Sequence, residues 1–379
     1  MKTFLSAVAI GVASMVALAA PGSATDKPAA GLIDEQIAQA APKGNFDAAK
    51  YFSGKTIRVI VGFAAGGGTD IQARHFAGHW GDYIPGKPRM TVTNITPDIT
   101  AANRLHASPP DGLTLEMTAG SNVVSQFTNA QAKFKIEENR IVGTHTASSS
   151  TLFAAKNFPY KTLREAIGGK TVMRIGSRGP DTAYAMRIAA LSKWLDFPVK
   201  FIPGLSGTSD NLIAVERGDI DGYLPGGGGT VWYSLPAIRP GWLKDGTVRV
   251  FALTGPTEIK LVPNKEIPMP ADTPYAIDLI KDPVQKKQFE IMTKADTAYG
   301  KVWMAPPNTP DHIIDVLRKS YEEVLANKEF RAKLEELMGE PVNYTHGAEI
   351  EKELEAVVKG YAENVENFKE WITWAQERF

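Results

Sequence analysis

The sequence predicts an α/β protein of two domains, and three observations point to it. Short apolar segments alternate with helical patterns from Tyr51 onward. Two of those segments empty into glycine-rich turns that open helices. With 379 residues, the chain is also longer than one hydrophobic core comfortably serves.

The N-terminus comes first. Lys2 is the sole charge before Asp26, an apolar run extends from Phe4 to Ala20, and Gly22-Ser23-Ala24 supplies small residues for cleavage after Ala24. Residues 1–24 therefore read as a secretory signal peptide, and the run is short for a membrane span. The chain has no cysteine, which excludes a lipoprotein anchor and a disulfide framework. Basic and acidic residues number 42 each, with no basic stripe, so nucleic acid and anionic membrane lack their electrostatic footprint here. Residues 25–50, rich in Ala, Lys, Asp and Gln, read as a leader with a short helix near 33–41.

Strands are expected at 57–62, 90–94, 113–118, 141–143, 151–156, 171–176, 199–202, 220–224 and 248–254, in largely parallel sheets. Helices are expected at 69–84, 98–107, 162–168, 181–195, 208–217, 310–338 and 347–377. Thr162 and Glu165 have capping-box spacing, and Gly168 and Gly169 stop that helix. Thr309 before Pro310 reads as a cap, with Gly339 as the stop. Ile313, Ile314, Leu317, Tyr321, Val324 and Leu325 repeat at helical spacing and form a core face.

The most informative stretch begins at Ile57. Ile57, Val59, Ile60 and Val61 form a strand buried on both faces. Phe63, Ala64, Ala65, Gly66, Gly67, Gly68, Thr69 and Asp70 then make a bare loop and the first turn of a helix. Glycines let backbone approach a ligand, and a helix start presents free N–H groups with a positive dipole end. That is an anion seat. No lysine follows as in a P-loop, and Ile71 stands where a dinucleotide fingerprint needs glycine, so phosphate-bearing cofactors are disfavoured and none is expected.

A second loop repeats the design with Ser177, Arg178, Gly179 and Thr182, where Arg178 offers a forked grip on a carboxylate. Supporting candidates are Ser121 and Asn122 after a strand, Ser148 in a hydroxyl-rich crossing between domains, Gly204 and Ser206 in a third loop, and Asp221. Residues 226–229, four glycines in a row, read as a mobile loop at a strand end. His75 and His79 have the spacing of two zinc ligands, but Phe76 stands where a metalloprotease glutamate belongs and no third ligand is evident; no metal site is expected. No Gly-x-Ser-x-Gly elbow and no thiol is present, so binding chemistry recurs while catalytic chemistry does not, and an enzyme is not expected.

The run Tyr51-Phe52-Ser53-Gly54-Lys55-Thr56-Ile57 leading into Gly66-Gly67-Gly68-Thr69-Asp70-Ile71-Gln72-Ala73-Arg74 resembles the substrate-binding proteins of tripartite tricarboxylate transporters, the Bug-type receptors. The likeness continues through Pro109-Pro110-Asp111-Gly112, Glu216-Arg217-Gly218-Asp219-Ile220-Asp221-Gly222 and Trp303-Met304-Ala305-Pro306-Pro307-Asn308-Thr309-Pro310. The resemblance implies a type II periplasmic-binding-protein fold. Two α/β lobes, 51–150 with 256–379 and 151–255, would be joined by crossing hinge strands and close on ligand.

It further implies a periplasmic, monomeric receptor for a small di-, tri- or aromatic carboxylate, with membrane subunits of a secondary transporter as partners. The first glycine loop would hold a ligand carboxylate through backbone amides. The chain departs from the family pattern at Ala65, where proline is common, and at Asn94-Ile95-Thr96-Pro97-Asp98-Ile99-Thr100, where glycines are missing; Arg178 and the 226–229 run are also unusual. A sensory co-receptor, or an enzyme acting on a small carboxylate, are the alternatives on the same fold.

Overall fold

The computed structural model describes residues 46–378 apart from 64, 147–149, 181, 206, 225–229, 256, 258–263 and 299. The proposed signal peptide and the 33–41 helix lie outside the described residues. Within the expected leader, Phe46 packs its ring against Tyr51 and His312, and a helix follows at Ala48–Phe52.

Eleven strands among the described residues form two mixed sheets, one per lobe. The first contains β1 (Thr56–Val61), β2 (Arg89–Asn94), β3 (Thr114–Thr118), β4 (Arg140–Thr144), β10 (Val302–Ala305) and β11 (Thr345–His346), in the order β11-β4-β10-β3-β1-β2. The second contains β5 (Thr151–Ala155), β6 (Met173–Gly176), β7 (Val199–Ile202), β8 (Gly222–Tyr223) and β9 (Val248–Leu253), in the order β7-β6-β8-β5-β9.

The expectation of largely parallel sheets needs correction. β1 is parallel to β2 and β3, and β6 to β7 and β8, but β10 runs antiparallel to β3 and β4, and β5 antiparallel to β8 and β9. The crossings explain this. The parallel strands end on the side where the chain passes between lobes, so β5 and β10, which begin there, must run the other way. Where the chain crosses, Thr254 donates its backbone N–H to Ser150 O at 2.7 Å, tying the two connections together.

His145 anchors the first crossing. Nδ1 lies 2.7 Å from Tyr321 Oη and Nε2 3.0 Å from Gln72 Oε1, and the residue is fully buried. Burial, reinforced by the Lys301 charge, pushes its pKa down to about 3, so it is a neutral structural bridge.

Long helices predicted as single pieces are divided. Asn327 ends Asp311–Ala326 and caps Lys328–Met338 by accepting the Phe330 N–H at 2.9 Å; Asn364 separates Gly347–Glu363 from Val365–Gln376. The six apolar residues expected on one face of the Asp311 helix are all buried. Two caps differ from expectation. Pro310, not Thr309, precedes the Asp311 helix, because the Thr309 hydroxyl donates to Pro306 O. Thr162 does not cap by its side chain; Glu165 instead accepts the Lys161 N–H.

Two of the main cores serve different regions. One lies within the first lobe around Phe76, Trp80, Trp303 and Tyr321. The other spans both lobes through the C-terminal helices: Tyr361 stacks on Phe127 of the first lobe, while Trp371 meets Trp194 of the second edge-on at 5.1 Å.

Candidate functional site

The loops predicted to bind ligand sit at the C-terminal ends of the parallel strands. β1 ends at Gly62, where a Cβ would fall 2.7 Å from Asp98 Cα, so the helix Asp98–His106 starts directly beside the first loop. Gly66 has φ +77°, which glycine alone adopts at little cost. Its N–H donates to Asp70 Oδ2 at 2.8 Å, Arg74 Nε donates to the same oxygen at 2.9 Å, and Asn94 Nδ2 donates to Asp70 Oδ1 and to Phe63 O, each at 2.9 Å. Burial alone would raise the Asp70 carboxyl, but donation from Arg74, Gly66 and Asn94 outweighs it and holds the pKa below the usual range. Asp70, expected as a ligand contact, is thus an internal strut that shapes the loop.

The helix Gly68–His79 begins at the uncapped residue Gly67, which brings no side chain to its first N–H groups. A Cβ on Gly66 or Gly68 would meet nothing within 4 Å among the described residues. Gly68 is the more telling of the two, since it carries neither a positive φ nor a close neighbour that would demand glycine. Thr69 is buried behind it.

Three further groups of the first lobe gather at this strand end. Asn122, buried near the start of the helix Ser121–Thr128, donates to Thr118 Oγ1 at 2.9 Å, and its Oδ1 has no partner among the described residues. Glu116 is buried; desolvation pushes its pKa up to about 8, opposed by the Thr118 hydroxyl and assisted by the charge of Asp98. Lys301 directly precedes β10, whose Val302 pairs with Thr118, and its ammonium lies 5.8 Å from the Phe63 ring centroid. It is 8% exposed, and burial lowers its pKa to about 8 against the attraction of Glu340. Sequence reasoning missed Lys301; a lone lysine abutting a fully apolar strand was the available signal.

In the second lobe, β6 ends at Gly176, where a Cβ would lie 2.0 Å from Asn211 Oδ1. The second and third loops are joined there, with Leu205 N–H donating to Ser177 O at 3.3 Å. The hydroxyls of Ser177 and Thr182 both donate to Gly179 O at 3.0 Å, and Thr182 also caps the helix Ala183–Leu195. Those side chains hold the loop's shape. Among the described residues, nothing lies within 4 Å of where a Cβ on Gly204 (φ +83°) or Gly207 would stand, as at Gly66 and Gly68. Arg178 anchors its backbone on Tyr184 Oη at 3.0 Å and extends its guanidinium to within 3.8 Å of Asp98 Oδ2 on the other lobe.

Asp221 is not brought to this group. Arg174 grips its carboxylate with Nε at 2.8 Å, Nη2 at 2.7 Å and the backbone N–H at 3.0 Å. It precedes β8, at the opposite strand end from the loops. Ala64, Ser148, Ser206, the side chain of Ser121 and residues 226–229 lie outside the described residues. In the crossing, Thr146 Oγ1 and Ser150 Oγ are buried without a hydrogen-bond partner among the described residues. His75 stacks on Phe330 and His79 bonds to His75 O, and no cluster of three metal-ligating side chains occurs among the described residues. A small apolar cavity between Phe153, Leu212, Tyr223 and Leu235 belongs to the interior of the second lobe.

No protein-family model and no curated protein sequence matches the chain. Solved structures do match, over most of its length. A TctC solute-binding protein from Polaromonas is 16% identical, with a TM-score of 0.58, over 83% of this chain and 98% of the other. MatC from Rhodopseudomonas palustris, with bound malate, is 19% identical over 85% and 100%, TM-score 0.57. A further R. palustris protein, with adipate, is 16% identical over 83% and 97%, TM-score 0.56. At these identities the likeness shows the fold: the two lobes are those of type II periplasmic binding proteins.

Proposed function

We propose that this chain is an extracytoplasmic solute-binding protein that captures a small carboxylate between its lobes. It then delivers the ligand to the membrane subunits of a tripartite tricarboxylate-type transporter. One observation carries the reading: Gly68 leaves the start of a helix bare and facing open space, with no conformational or packing need for glycine there. Backbone N–H groups at such a terminus favour an anion. Arg178 and Lys301 add positive charge, and the malate and adipate held by two proteins of the same fold agree in chemical class.

Closure is the working step. A ligand touching both lobes binds the closed form more tightly and shifts the population toward it, which presents a changed surface to the membrane partner. Asp70 acts before ligand arrives, by fixing the loop so that its amides need no rearrangement.

Thermal unfolding against mono-, di- and tricarboxylates, aliphatic and aromatic, tests the reading. Ligand at 100 times its Kd stabilises by about 2.7 kcal/mol, a shift of several degrees. A concentration-dependent rise with a carboxylate that is recovered unaltered supports a receptor. Turnover of that carboxylate would favour the enzyme alternative, and silence across the panel would refute the assignment.

A further inference from the structure

Asp98 and Arg178 meet from opposite lobes, Oδ2 to Nη2 at 3.8 Å, and the two partners are held very differently. The Asp98 side chain is 9% exposed and the Arg178 side chain 40%. Asp98 is fixed: its Cα packs over Gly62, and its Oδ1 accepts the Ile99 N–H at 3.1 Å. Arg178 reaches out from a loop, and its contact is longer than the ~2.7–2.9 Å of a tight charge-assisted pair, so Asp98 biases the guanidinium by its charge rather than by a committed hydrogen bond. The Asp98 charge is also felt in the interior, where it helps to raise the pKa of the buried Glu116 carboxyl.

Arg178 therefore faces the Asp98 carboxylate before any ligand enters. A ligand carboxylate brought to Arg178 must share the guanidinium with Asp98 and sit close to a like charge that is itself largely buried. A hydroxyl or amide brought to the same place meets the Asp98 carboxylate as an acceptor instead. We propose that Asp98 is a specificity-determining residue that turns the cleft against a second ligand carboxylate. The preferred ligand then carries one carboxylate, held at the first glycine loop, and a neutral hydrogen-bond donor at its other end. This rests on the carboxylate reading above and narrows it.

Calorimetric titration with two matched pairs tests it: adipate against 6-hydroxyhexanoate, and succinate against 4-hydroxybutyrate. The wild-type protein is expected to bind the hydroxy acid of a pair at least tenfold more tightly than the diacid. Asp98→Asn should raise diacid affinity at least tenfold while changing the hydroxy acid less than threefold. In an Arg178→Gln background the same Asp98→Asn change should gain less than threefold for the diacid. Asp98→Ser, which keeps an acceptor for the Ile99 N–H, replaces Asp98→Asn if the latter does not fold. A wild-type protein that takes the diacid as tightly as the hydroxy acid, or a variant that moves both ligands equally, overturns the inference and leaves the carboxylate reading standing. If neither wild type nor variant binds any of the four, the inference falls, and the carboxylate reading is decided by the wider thermal panel.

Discussion

Replacing Gly68 by alanine should move stability and ligand binding in opposite directions. Among the described residues the added Cβ meets no heavy atom within 4 Å, and the backbone is not left-handed there, so no strain or clash offsets the usual gain. Gly→Ala at a compatible position stabilises by about 0.4–1 kcal/mol through the unfolded chain. In a protein of this size that is a rise of roughly 1–3 °C in the unfolding midpoint. The methyl group would stand over the first N–H groups of the helix Gly68–His79. Loss of one amide bond to a charged ligand, worth about 1.5–3 kcal/mol, weakens binding by roughly 10- to 150-fold. Differential scanning calorimetry of the free protein and titration with the carboxylate found in the thermal panel read the two effects separately. A lower midpoint with unchanged Kd would refute the reasoning, because it would mean that glycine serves packing rather than ligand.

Outcomes at four other residues are expected. With Lys301 at about 8, its protonated form is favoured by an anion, so carboxylate affinity should fall up to tenfold per pH unit above about pH 8; Lys301→Met should abolish that slope, and a flat wild-type profile from pH 7 to 9.5 would count against the lysine. In the free protein the same depressed value means the unfolded chain binds the extra proton, so this group's contribution to stability rises with pH from about 8 to about 10.4. Glu116, raised to about 8, retains its proton in the folded state, so its contribution to stability falls as pH rises from about 4.3 to about 8, and Glu116→Gln should remove that trend from urea unfolding curves. Asp70→Ala strands the donors from Gly66, Arg74 and Asn94 and should cost about 2–4 kcal/mol in urea unfolding, with weaker ligand binding in proportion to loop disorder. Asp221→Ala should cost about 1–3 kcal/mol yet leave Kd within a factor of two, since Arg174 and not ligand holds that carboxylate.

What was readable in the sequence followed local rules. β-Branched strands ending in glycine, and helices opening after them, depend on neighbours a few residues apart, so 63–70 and 177–182 were found as loops. The roles of their side chains depended on distant partners. Asp70 looked like a ligand contact until Asn94, twenty-four positions away, was seen to bind it. Asp221 looked free because Arg174 reaches it only through the parallel register of β6 and β8. Lys301 carries no local motif, and its place beside Phe63 comes from β10 inserting next to β3 after the chain returns from the second lobe. Antiparallel β5 and β10 were likewise invisible, since strand direction follows from where a crossing enters a sheet. Asn327 and Asn364 each divide a helix whose apolar periodicity reads straight through them.

The C-terminal helices have a mechanical consequence. With Tyr361 seated on Phe127 and Trp371 on Trp194, the last thirty or so residues form a strap on which both halves of the molecule rest. Two connections at the crossing would leave the halves free to swing widely. A third line of attachment, well separated along the chain, restricts the permitted rotation to an axis that both attachments can share. Any movement of one half against the other is thereby guided toward a small turn about that shared axis rather than a broad clamp.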